Sequence, residues 1–158
     1  PAMTTPSPLS GKLVTLFGGS GFIGNHVAQK LLERGARLRI ASRNPERAFG
    51  LKPLANLGQL QFVPCNLTHE TSVAAALAGA SHAVNLVGVF AGDVTAVMGE
   101  GAGTLARLAK DSGLEALVHV SAIGPGAASS VPYAQAKALG EERVRAAFPT
   151  ATILRPSI

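Results

Sequence analysis

A glycine-patterned turn constrains this chain more than any other feature. Gly18-Gly19-Ser20-Gly21-Phe22-Ile23-Gly24 stands between the apolar run Leu13-Val14-Thr15-Leu16-Phe17 and a helix-like stretch over residues 25–34. Glycines at 18, 21 and 24 fall where a strand should become a helix. Without a Cβ, the first permits a tight turn, the second lets backbone approach a pyrophosphate, and the third lets helix and strand pack closely. The helix N-terminus then offers unpaired N–H groups to anionic oxygens. Gly18, Ser20, Gly21, Phe22, Ile23 and Gly24 are therefore candidate cofactor-binding residues. The glycine spacing alone is equally compatible with a tight turn in another α/β protein, so its meaning depends on what surrounds it.

The surroundings alternate. Strands are expected at residues 12–17, 37–41, 60–63, 82–87, 117–120 and 151–154. Helices are expected after the glycine turn, at 72–77, at 94–110 and at 133–147, and residues 44–58 read as a loop with one short helix. Phe22, Ile23, Val27, Leu31 and Leu32 are expected on the apolar side of the first helix, which stops before Gly35. Strands rich in Val, Leu and Ile that alternate with helices favour a parallel sheet covered on both faces. The expected fold is α/β: a Rossmann-type, doubly wound parallel sheet in three αβα layers, with ligand at the strand C-termini. Residues 1–10 read as a flexible leader and 11–158 as one NAD(P)-binding domain.

Composition excludes several alternatives. The chain of 158 residues is 47% hydrophobic and 15% charged, which fits one packed domain and not wholesale disorder. With no tryptophan and one tyrosine, Tyr133, it lacks the stacking platforms of a single-stranded nucleic-acid binder, and it has no dense Lys/Arg run. Its net charge of +5 is concentrated in the first 60 residues, where an anionic cofactor, an acidic partner or a membrane surface would be attracted. Cys65 is the only cysteine, so neither an intramolecular disulfide nor a thiolate metal cluster is available, and the four histidines lack ligand spacing. No uninterrupted apolar span of transmembrane length and no signal peptide is evident, which points to a cytoplasmic protein.

The second strand ends in Ala41-Ser42-Arg43-Asn44, with no acid where a carboxylate commonly holds the adenosine ribose of NAD. Arg43, aided by Ser42 and Arg47, has the chemistry to pair with a 2′-phosphate, which favours NADP(H) while leaving NAD(H) open; a plain surface arginine is the alternative. Asn66 and Leu67, after Cys65, are placed to reach adenine at the third strand end. Asn85, Val87 and Gly88 close the fourth, where Gly88 permits close backbone approach; a buried Asn85 that ties two loops together is the other reading. Cys65 reads as a small core residue, having no basic neighbour.

Ser121 ends the fifth strand, and Tyr133 and Lys137 lie four residues apart on one face of the next helix. A lysine cation lowers the cost of a tyrosinate and a serine hydroxyl can bond a substrate oxygen. Tyr133 would then exchange a proton with an alcohol or carbonyl while hydride moves at nicotinamide. A helix-start tyrosine beside a solvated lysine is the bland alternative.

These runs, with Val120-Ser121-Ala122, Tyr133-Ala-Gln-Ala-Lys137, Gly140-Glu141 and Leu154-Arg155-Pro156, resemble the extended and atypical short-chain dehydrogenase/reductase superfamily, which includes NAD-dependent epimerases and dehydratases. Ala41-Ser-Arg-Asn-Pro45, Asn85-Leu-Val-Gly88 and the run from Ala147 to Pro156 resemble, within it, the group of the nucleotide-binding accessory subunit of respiratory complex I and its bacterial relatives. The resemblance covers residues 12–158. It implies that Ser121, Tyr133 and Lys137 occupy catalytic positions and also contact cofactor, and it adds Pro156 to the cofactor-binding set.

The resemblance also marks a departure: Gly103-Thr104 is kept, but Glu100 stands where an asparagine of the proton relay is usual. The family extends beyond the sixth strand into a smaller substrate region that this chain does not contain. Two functions follow from the resemblance. One is an NADP(H)-dependent oxidoreductase or epimerase-like enzyme acting on a carbonyl or alcohol. The other is a non-catalytic NADP(H)-binding structural or assembly subunit of a complex I-like NADH:ubiquinone oxidoreductase. The implied partners are a second copy, in a homodimer, or respiratory-complex subunits, the latter placing the protein peripherally on the inner membrane.

Overall fold

A computed structural model describes residues 5–124, 126 and 128–157. Six strands form one sheet: β1 (Leu13–Phe17), β2 (Arg37–Ser42), β3 (Leu60–Pro64), β4 (His82–Asn85), β5 (Ala116–Val120) and β6 (Thr152–Leu154). All pair in parallel, in the order β3-β2-β1-β4-β5-β6. The order reverses between β1 and β4, the place where such sheets leave a crevice for ligand. Helix α1 (Phe22–Glu33) lies on one face, and α2 (Glu70–Leu77), α3 (Gly101–Asp111) and α4 (Pro132–Ala147) on the other.

The strand register explains the two cores. Val14 and Leu16 stand beside Leu38 and Ile40, and all four pack against Ala28 and Leu32 of α1 and against Ala48 and Leu51 of the 3-10 segment Pro45–Leu54. Phe17, Ala41, Ala83 and Leu117 point the other way, against Val73 of α2, Leu105 of α3 and Val144 of α4. A strand buried on both faces is apolar nearly throughout, as β1 is. Thr15 is the exception in β1, and its hydroxyl donates to the Ala76 carbonyl near the end of α2 at 2.8 Å. Arg39 donates to the Ala76 and Ala78 carbonyls at 2.8 and 2.7 Å, a cation placed at the negative end of α2.

Several expectations shift. Phe22 and Ile23 are not on the buried side of α1: they are 82% and 48% exposed, while Gly24, Ala28 and Leu32 face the sheet. Small residues let the start of α1 sit close to the glycine turn, and that closeness leaves no room beneath for a phenylalanine. Phe22 instead meets the His26 ring edge-on at 4.9 Å. The helix expected at 94–110 is two pieces, a π-helical turn Thr95–Glu100 running into α3. Asp93 starts it, its carboxylate accepting from the Ala96 N–H at 2.9 Å. β4 ends at Asn85, two residues short of expectation. Residues 7–11, overlapping the segment expected as a leader, form a turn whose Leu9 packs on the α1 core.

Candidate dinucleotide site

The glycine turn has the geometry its spacing suggests. Gly18 has φ +75°, a region costly for residues with a Cβ, and a Cβ there would meet the Leu86 and Val87 backbone at 3.0 Å. A Cβ on Gly24 would lie 2.6 Å from Gly19 Cα and O, inside contact distance. Gly21 differs: the nearest atom to its notional Cβ is Gly18 O at 3.5 Å. Gly21 is also the N-cap of α1 with no side-chain cap, so the first-turn N–H groups of Phe22, Ile23 and Gly24 remain available to an anion. The open side of Gly21 is therefore the side a ligand would use.

A cleft of about 200 Å³ runs along the C-terminal ends of β1, β2, β3 and β4. Gly18, Ser20, Gly21, Ser42, Arg43, Asn66, Leu67, Val87 and Gly88 line it. Ser20 and Ser42 join turn to strand through their hydroxyls at 3.1 Å. Arg43 and Arg47, both exposed, sit at this end, and among the described residues neither meets a carboxylate. Asn66 folds on itself, its Oδ1 accepting from the Thr68 N–H at 3.0 Å and the Thr68 hydroxyl at 2.7 Å. Burial pushes the Cys65 thiol up, which makes it an inert wall residue at neutral pH.

The other expected residues lie beside or beneath this cleft. Asn85 is buried; its Oδ1 accepts from the Val87 N–H at 3.1 Å and its Nδ2 lies 3.1 Å from His119 Nδ1. Lys137 is 4% exposed, and its ammonium donates to the Val87 and Val120 carbonyls at 3.4 and 3.3 Å, tying the ends of β4 and β5. Burial holds its pKa below the usual lysine value, with Glu141 acting in the opposite direction. Tyr133 is half-buried, its ring 5.8 Å from the Lys137 ammonium and stacked at 4.9 Å on Phe90, which is 82% exposed.

Ser121, just past the end of β5, is buried. Its hydroxyl is fully buried near the Glu141 carboxylate, helping to lower that group's pKa, yet it meets no partner at hydrogen-bonding geometry among the described residues. Glu141, on α4, is gripped by Arg155 after β6 through Nε at 2.8 Å and a terminal nitrogen at 2.6 Å, and by Arg145 at 3.1 Å. The Arg155 bonds dominate in lowering the Glu141 pKa to about 2. His119, also beneath α4, is pushed down to about 4, first by burial and then by the Lys137 cation. Pro156 is exposed and lies outside the cleft lining, as do the side chains of Phe22 and Ile23.

Sequence reasoning did not pick out Val97, which enters the cleft from the π-helical turn, nor the role of His119. A turn of non-standard helix has no sequence period of its own, and a strand histidine reads as ordinary core. Among the described residues no helix is long and apolar enough to cross a membrane, and no three His, Cys, Asp or Glu side chains gather as a metal site.

Comparison with known proteins agrees with the geometry. The NAD(P)H-binding family model matches residues 18–158. NADH dehydrogenase (ubiquinone) 1 alpha subcomplex subunit 9, mitochondrial, of Mus musculus is 31% identical over 96% of this chain, and its Arabidopsis thaliana counterpart 32% identical over 96%. The chain spans 41% and 39% of those two relatives, less than half of either. Pen from Bacillus thuringiensis superposes with a TM-score of 0.79 at 15% identity, over 95% of this chain and 50% of that one. The Bordetella bronchiseptica enzyme WbmG in complex with NAD gives 0.76 at 17%, over 92% and 53%. With the glycine turn at its switch point and a cleft along four strand ends, this chain belongs to the NAD(P)H-binding family of extended short-chain dehydrogenase/reductase fold and is related to the complex I accessory subunits.

Proposed function

We propose that the chain holds NADP(H) as a structural or assembly component of a respiratory complex I-like NADH:ubiquinone oxidoreductase. One observation carries the non-catalytic part. The hydroxyl of Ser121, which proton transfer would need at the substrate oxygen, is buried toward Glu141. The Lys137 ammonium is likewise engaged with two backbone carbonyls. The likeness of nearly the whole chain to mitochondrial complex I subunits supports the partner. On this reading residues 11–158 are the cofactor domain of a longer protein, cytoplasmic or held on the inner membrane through the complex.

The full-length protein, purified under native conditions, is expected to retain a nucleotide identifiable by mass spectrometry. It should co-purify with complex I subunits and turn over none of a broad panel of carbonyls. Turnover that disappears in Tyr133→Phe would replace this reading with an NADP(H)-dependent oxidoreductase or epimerase-like enzyme. That second reading is supported by the Ser121, Tyr133 and Lys137 set itself and by the half-exposed Tyr133.

Arg43 and Arg47 at the β2 end of the cleft, neither paired with a carboxylate among the described residues, support NADP(H) over NAD(H). Arg43→Ala is expected to weaken NADPH by roughly tenfold or more, the scale of a lost charge-assisted hydrogen bond, and to leave NADH nearly unchanged. Equal losses in a titration of both cofactors would remove Arg43 from 2′-phosphate recognition.

A further inference from the structure

The backbone of Val87 is held from three directions, through the peptides on both sides of its α-carbon. Its N–H donates to Asn85 Oδ1 at 3.1 Å, and its carbonyl accepts from Lys137 at 3.4 Å. The bare α-carbon of Gly18 allows the glycine turn to lie against it, since a Cβ there would come within 3.0 Å of Val87 N. Val87 lines the cleft, so whatever fixes this backbone fixes one wall of the site.

The first of these bonds depends on how the Asn85 amide faces. Because a backbone N–H can only donate, the atom opposite Val87 must be the amide oxygen, and the amide nitrogen is then the group that faces His119 Nδ1 at 3.1 Å. That nitrogen can only donate, so His119 Nδ1 must be the acceptor and the ring carries its proton on Nε2. The imidazole is neutral at pH 7, with Lys137, Glu141 and Arg145 of α4 the charged groups around it. Nε2 is buried with no partner among the described residues. The ring thus leaves one nitrogen unsatisfied while Nδ1 stays on Asn85.

We propose that His119 is a positioning residue for the cofactor cleft: its Nδ1 holds the Asn85 amide in one orientation, and the Asn85 amide holds the Val87 peptide in the cleft wall. The inference deepens the cofactor-binding reading and rests on it for its effect on affinity. Its effect on the Val87 peptide is independent of any ligand.

The test pairs two substitutions in the full-length protein. His119→Asn keeps an oxygen acceptor near the place of Nδ1, whereas His119→Leu keeps more of the buried volume and removes the acceptor. His119→Leu is expected to speed amide exchange at Val87 by roughly tenfold and to raise the NADPH dissociation constant by a similar factor, with His119→Asn staying within about threefold of wild type. The reverse order, Leu tolerated and Asn not, would assign His119 to packing and overturn the proposal, as would equal behaviour of the two. If His119→Leu does not fold, 15N NMR of the wild-type imidazole decides. An unprotonated Nδ1 with protonated Nε2 at pH 7 supports the proposal, and the opposite tautomer ends it. If the wild type binds neither NADPH nor NADH, the cofactor reading fails while the exchange rates at Val87 still judge His119.

Discussion

Gly24→Ala is expected to destabilise the fold by about 3 kcal/mol, the upper range for overpacking a tight site. The added methyl would lie 2.6 Å from Gly19 Cα and O, and these are backbone atoms of the turn, which cannot rotate aside as a side chain would. Relief requires α1 to move off the sheet, so the first-turn N–H groups move with it and cofactor binding falls too. Gly21→Ala is the contrasting case. Its methyl meets only Gly18 O at 3.5 Å, and its φ of −82° suits any residue. Thermal unfolding of Gly21→Ala is expected to match wild type while NADPH affinity drops by tenfold or more, because the methyl projects toward the open side of the turn. A Gly21→Ala variant that binds NADPH as tightly as wild type would mean that the open side of Gly21 is not a ligand surface.

Acid should weaken this protein in two stages. His119 has its pKa lowered from 6.5 to about 4 in the fold. Between those values the unfolded chain takes up a proton that the folded chain refuses, so stability falls as pH drops from 6.5 to 4 and then levels for this group. A shift of that size corresponds to about 3 kcal/mol. Glu141, lowered from 4.5 to about 2, adds a second loss that starts below pH 4.5 and runs to about 2, as its bonds from Arg155 and Arg145 are broken by protonation. Urea titrations across pH are expected to show both limbs. His119→Asn should flatten the upper one and Glu141→Gln the lower one. An upper limb unchanged in His119→Asn would place that proton uptake elsewhere.

The Glu141 grip has a structural consequence beyond acidity. Arg155 reaches Glu141 from the end of β6, the edge strand of the sheet, and that strand has three residues. So short an edge strand contributes few ladder hydrogen bonds of its own. Its position is set by the fork onto α4 together with the Ser121 N–H bond to the Leu154 carbonyl at 2.7 Å. The carboxylate that lies near the buried Ser121 hydroxyl thus secures the last strand.

What could be read from the sequence was whatever local chemistry dictates. Gly18 and Gly24 announced the turn because only residues without a Cβ fit a positive φ or a backbone contact at 2.6 Å, and Gly21 between them leaves its side open. The strands announced a parallel sheet because they are rich in Val, Leu and Ile and alternate with helices, and the run Ala41-Ser42-Arg43-Asn44 at the end of β2 carries no acid, leaving Arg43 with Arg47 at that end of the cleft. These features require no knowledge of distant neighbours. The misplacements share the opposite property. Phe22 and Ile23 carry helical period and apolar character, yet the close seat of Gly24 on Gly19 turns them outward. Val97 reaches the cleft only because the chain takes a π-helical turn before α3. Ser121 stands at the spacing expected for chemistry, but β5 aims its hydroxyl beneath α4, where Glu141 lies twenty residues further along the chain. By itself the sequence determined the fold class, the dinucleotide turn and the cationic end of the cleft. Only the tertiary structure decided which polar groups line the cleft and which are consumed in holding the sheet, because that depends on side-chain direction and burial across elements that sequence spacing does not encode.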